Sequence, residues 1–141
     1  MTWATDEIFV AGGDFVSEHW REFQAQAGVT AIIVVSANKF APLIDPAPAA
    51  MLWLPVAEES AYTLEHFTLG TQFVDWALAA KRKVLLHAPA GMHRTRPLVA
   101  AHLLRRGKSL ARVLKEMEQP PWLPPYKGEV ALLEQWLSST D

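Results

Sequence analysis

Short runs of apolar residues alternate along this chain with longer stretches in which apolar positions recur every three or four residues, which lays out strands and helices in turn. Residues 8–11 (IFVA) are the first run, ending at Gly12-Gly13. Asp14 or Ser17 is placed to cap a helix running to about Ala27, with Trp20, Phe23 and Ala27 at helical spacing. Gly28 follows, where a helix often closes on a left-handed residue. The run 31–35 (AIIVV) predicts a strand buried on both faces. A Pro/Ala-rich loop over 37–50 leads to another strand at 51–56. The spacing then predicts a long helix over 63–80, with Leu64, Phe67, Val74 and Leu78 near one face and Glu65 complementing the start of its dipole.

Residues 83–87 (KVLLH) form the next strand, entering a loop at 88–93 that opens a helix with Pro97 in its first turn. That helix stops near Arg106-Gly107, Ser109 caps another to about Glu118, and a Pro/Trp loop precedes a last helix over 129–137. Strands alternating with helices imply an α/β domain of three layers, α/β/α, with a mostly parallel central sheet of four to five strands and helices on both faces. One domain over 1–141 is expected.

Composition narrows the chemistry. The formal charge of −2 gives no general argument for nucleic acid or membrane binding, and no apolar run reaches the roughly 20 residues of a membrane helix. A cytoplasmic location is the resulting expectation. Cysteine is absent, which excludes disulfides, thiolate metal sites and thiol nucleophiles together. His19, His66 and His102 are dispersed, without the spacing of a helical zinc motif, so no metal and no cofactor is expected.

The segment 84–95 (VLLHAPAGMHRT) runs from strand through a glycine-containing loop to an arginine and a helix. A loop feeding a helix N-terminus turns backbone N–H groups inward and adds the positive end of the dipole, which suits an anion. Gly91 permits the curl, and Arg94 offers a planar fork of donors for phosphate oxygens. On spacing alone, an ordinary βα connection with a surface arginine fits as well.

His87-Ala88-Pro89-Ala90-Gly91-Met92-His93-Arg94-Thr95 resembles the H-C-x-x-G-x-x-R-[ST] signature of the cysteine-dependent protein-tyrosine and dual-specificity phosphatases, with Ala88 in place of the cysteine. Ile8 to Gly13, Gly28 to Ile33, Leu54-Pro55-Val56 with Glu58, and the helix carrying Leu64, Phe67, Phe73 and Val74 are similar to the compact dual-specificity members, as are the paired helices from Leu98 to Met117. The resemblance implies roles for named positions. Arg94 would hold the phosphate, Thr95 would be the assisting hydroxyl, and Gly91 would shape the loop. The amides of Ala90, Gly91, Met92, His93 and Arg94 would be the donors, and His87 would orient the loop, unless its ring is simply a satisfied buried imidazole. Glu58 is the candidate general acid on one alignment, whereas another places Ala57 there. His93, just before the arginine, would point away from the loop centre. Arg96 would flank the cradle as a second cation. Trp122 and Tyr126 would either line the pocket rim or cover the core.

Two departures bear on activity. Ala88 carries no nucleophile, and covalent catalysis has no substitute for one. Pro89 has no N–H at a position that usually donates to the phosphate. The expected reading is a pseudophosphatase that binds phosphate monoesters through 88–94, its partner a phosphorylated protein or a small phosphate monoester. Two alternatives stand beside it: an active phosphomonoester hydrolase carrying a Cys→Ala substitution, and a non-catalytic interaction domain with a vestigial loop. The short chain further implies a shallow pocket.

Overall fold

The structure, a computed structural model, describes residues 2–38, 43, 45–119, 122 and 124–139. Parts of the Pro/Ala-rich loop expected at 37–50 and of the Pro/Trp loop expected before the last helix therefore lie outside the described residues. A five-stranded sheet runs in the order β1-β2-β5-β3-β4, formed by β1 (Thr2–Trp3), β2 (Ile8–Gly12), β3 (Val29–Val35), β4 (Ala50–Leu54) and β5 (Lys83–Ala88). Only β1 is antiparallel, pairing Trp3 with Phe9, and the other four strands are parallel. The expected three-layer α/β architecture is what forms.

The alternation of strand residues explains the layers. Ile8, Val10, Ala31, Ile33, Val84 and Leu86 face a core covered by α3 (Leu64–Ala79), α4 (Arg96–Arg105), α5 (Leu110–Glu116) and α6 (Glu129–Ser139). Phe9, Ala11, Ile32, Val34 and Leu85 face the other way, against Val16 of α1 (Phe15–Glu18) and Trp20 and Phe23 of α2 (Trp20–Ala27). Burial on both faces is why β3 and β5 read as continuous apolar runs.

Differences from the sequence pattern have local causes. The helix expected from residue 14 to 27 is broken at His19, whose φ of −124° and ψ of 29° are not helical. Ser17 does not cap it: its hydroxyl donates to the Asp14 carbonyl. The strand expected to reach Val56 stops at Leu54, because Pro55 cannot donate to a ladder. α3 starts one residue late because Thr63 is its N-cap, accepting from the His66 amide while the His66 ring accepts from the Thr63 amide.

Candidate phosphate-binding site

β5 is the middle strand, flanked by β2 and β3, and all three end on the same edge. The chain leaves β2 for one face of the sheet and β5 for the other, so a crevice opens beyond these carboxyl ends, where ligands bind in open α/β sheets. Ala88 closes β5 opposite Gly12 and is fully buried. The chain then doubles back: the Gly91 amide donates to the Ala88 carbonyl at 3.0 Å, and the Gly13 amide reaches the same oxygen at 3.3 Å. Gly91 has φ 147°, a conformation that an L side chain rarely adopts, and a 3-10 turn, Met92–Thr95, runs directly into α4. The loop presses onto the end of β2 so closely that a Cβ on Gly12 would overlap the Met92 amide nitrogen and stand 2.8 Å from the Gly91 carbonyl carbon.

Side chains brace this curl from several directions. Thr95 is buried and donates its hydroxyl to the Met92 carbonyl at 2.6 Å. Tyr62, buried between the 3-10 turn Glu59–Ala61 and α3, donates its hydroxyl to the Arg94 carbonyl at 2.7 Å and stacks on Phe67. Burial pushes the Tyr62 phenol well up, so it remains a donor. His87 is buried, with Nε2 3.1 Å from the Gly13 carbonyl, and therefore ties the turn after β2 to the end of β5. Burial lowers the His87 pKa, only partly offset by that carbonyl and by Asp14, and the ring is neutral near pH 7. Its Nδ1 has no partner among the described residues.

Above the loop lies a broad-mouthed cavity of about 210 Å³ lined by Glu58, Glu59, Ala90, Gly91, His93 and Arg94. Of the two positions considered for the acid, it is Glu58 that lines the cavity, with Oε1 accepting from the Ser60 hydroxyl at 2.9 Å. Met92 instead packs against the core.

Three expectations need correction. Arg96 does not flank the cavity: it is fully buried, 3.4 Å from the Glu129 carboxylate and donating to the Met117 carbonyl at 2.8 Å, because α6 brings an acid against the start of α4. His93 does not point away: it lines the cavity, and its Nδ1 is buried. The amides of Gly91 and Arg94, expected as phosphate donors, engage the carbonyls of Ala88 and Gly91 within the loop. Trp122 packs on the core. Among the described residues no three His, Asp or Glu side chains come together to hold a metal ion. The sequence pattern also missed Tyr62, Glu59 and the close approach at Gly12. Tyr62 and Gly12 carry no local signal for contacts made 32 and 80 residues away, respectively, and the only hint of Glu59 was its position beside Glu58.

Chains of known structure share this fold. Human DUSP28 superposes with a TM-score of 0.80 over 99% of this chain and 96% of its own, at 24% identity. The human tyrosine phosphatase-like serine/threonine/tyrosine-interacting protein gives a TM-score of 0.80 over 96% of this chain and 93% of its own, at 21% identity. The fold is that of the dual-specificity phosphatases. Tyrosine-protein phosphatase yvh1 of Schizosaccharomyces pombe is 33% identical over 72 residues, a stretch that is 50% of this chain and 22% of that protein. No protein-family model matches the chain. In this chain the loop after β5 begins at Ala88 and ends at Arg94-Thr95.

Proposed function

We propose that this chain is a single phosphatase-like domain that binds phosphate monoesters in the loop 88–94 without hydrolysing them. The observation that carries this reading is a curled, braced loop that begins at a buried alanine, Ala88, the position at which the resembled enzymes have their nucleophile. Arg94 supplies the permanent positive charge of the cavity, and the amides of Ala90 and His93, which line it, are the remaining donors. Thr95, Tyr62 and His87 hold the shape and do no chemistry. Glu58 has no leaving group to protonate in a protein that forms no covalent intermediate. That one structural neighbour is named as a phosphatase-like interacting protein is in keeping with binding as an end in itself.

Calorimetric titration with inorganic phosphate and with tungstate tests the reading. Saturable binding is expected, weakened by about tenfold or more in Arg94→Ala, since a hydrogen bond to a charged group contributes roughly 1.5–3 kcal/mol. Unchanged affinity in that variant would remove the assigned role. Ala88→Cys separates this reading from a hydrolase that has merely lost its cysteine. We expect no turnover of an aryl phosphate, and restored turnover favours the hydrolase.

A further inference from the structure

The cavity over the loop carries a charge balance unsuited to a bare phosphate. Its lining offers one permanent cation, Arg94, against two carboxylates, Glu58 and Glu59. The second arginine that would have redressed the balance, Arg96, is fully buried and turned to Glu129. Glu58 is held in place by the Ser60 hydroxyl, and Glu59 is close enough to raise the pKa of Tyr62, whose own hydroxyl meets the Arg94 carbonyl. Both acids line the cavity. A phosphate monoester, carrying about −1.5 to −2 at pH 7, would meet Arg94 and two like charges at once.

Resting on the proposed phosphate-binding reading, we infer that the ligand of this site is a phosphorylated polypeptide segment with lysine or arginine beside the phosphorylated residue, its phosphoryl group on Arg94 and its flanking cations on Glu58 and Glu59. A cavity of about 210 Å³ with an open mouth takes a phosphoryl group and the first atoms of a side chain, and leaves the neighbouring residues over the rim where the two carboxylates stand. An extended chain places cations on both sides of its phosphate. Charge placed this way sets specificity more than total affinity, since wrong partners meet like charge.

The test compares three phosphothreonine peptides, flanked by lysines, alanines or glutamates, together with the unphosphorylated lysine peptide and inorganic phosphate, by calorimetry at low and high salt. The lysine-flanked phosphopeptide is expected to bind about three- to tenfold tighter than the alanine-flanked one, in line with a few exposed ion pairs, and the preference should shrink at 1 M salt. In Glu58→Gln/Glu59→Gln the preference should vanish while inorganic phosphate binds more tightly than to the natural chain, a change of sign that general unfolding would not produce. Equal affinity for all three phosphopeptides, a preference surviving in the double variant, or equal binding of the unphosphorylated lysine peptide overturns the inference alone. Failure of inorganic phosphate and every phosphopeptide to bind overturns the phosphate-binding reading, and the inference falls with it.

Discussion

Removing either member of the Arg96–Glu129 pair should destabilise the protein, but with different pH dependence. Both side chains are fully buried, and Arg96 has one further partner, the Met117 carbonyl. Breaking a buried pair by deleting one partner typically costs about 3–5 kcal/mol, a large share of the ~5–15 kcal/mol that holds a domain together. Glu129→Gln strands a guanidinium that cannot lose its proton, so its cost should be nearly constant with pH. Arg96→Met strands a carboxyl that can gain one. Burial already raises the Glu129 pKa against the opposing pull of Arg96, and deleting the arginine raises it further. A carboxyl with a folded pKa above its unfolded value stabilises the fold below the unfolded pKa, and that contribution is lost as pH rises through the folded one. The penalty of Arg96→Met should thus be small below the natural chain's own raised Glu129 pKa and grow by up to about 1.4 kcal/mol per pH unit above it, until the variant's still higher pKa is passed.

Guanidinium chloride unfolding at pH 5 and pH 8 measures both effects. Replacing the pair together, Arg96→Met/Glu129→Leu, should recover most of the loss, because well-packed apolar residues commonly match a buried ion pair. A pH-independent penalty for Arg96→Met, or a Glu129→Gln protein within about 1 kcal/mol of the natural chain at both pH values, would refute the assignment of a charged buried pair.

Gly12→Ala should leave the sheet folded at a cost of about 1–3 kcal/mol yet weaken tungstate binding strongly, since the new Cβ meets loop backbone, not a movable side chain; calorimetry and thermal melting read the two effects separately. Tyr62→Phe removes the donor to the Arg94 carbonyl and should cost about 1–3 kcal/mol in denaturant titrations, with weaker oxyanion affinity as Arg94 loses its anchor. His102, buried on α4 beside Arg105 and Arg106, has its pKa lowered to about 4 by burial and those cations. The unfolded chain alone binds that proton between about pH 6.5 and 4, so stability should fall by about 3 kcal/mol across this window and fall less in His102→Leu.

Elements buried on both faces were legible in sequence because their apolar runs have no other use: β3 and β5 were found within two residues. The break at His19 was not legible, since Trp20 and Phe23 keep helical spacing on either reading and the break depends on how α2 docks, with the Trp20 indole donating to the Pro46 carbonyl. In the site, the signature located the loop, its glycine and its arginine, all of which are adjacent in sequence. Arg96 was misplaced because its partner lies 33 residues further on, and a side chain at the start of a helix can turn either towards the loop or into the core. Only the packing of α6 decides it.

None of the hydrogen bonds that hold the loop uses the side chain at position 88. The Gly91 turn, the Thr95 and Tyr62 hydroxyls, the close approach at Gly12 and the His87 link to Gly13 are hydrogen bonds and packing that a thiolate would not improve. On the proposed reading, a thiolate at position 88 would instead add a negative charge beside a bound phosphate. Like charges about 4 Å apart repel by roughly 1 kcal/mol even in water and by about 4 kcal/mol near a protein surface. With a methyl group there, that repulsion is gone and the loop keeps its shape. On the proposed reading, alanine at position 88 therefore suits the loop to holding a phosphate monoester and not to cleaving one.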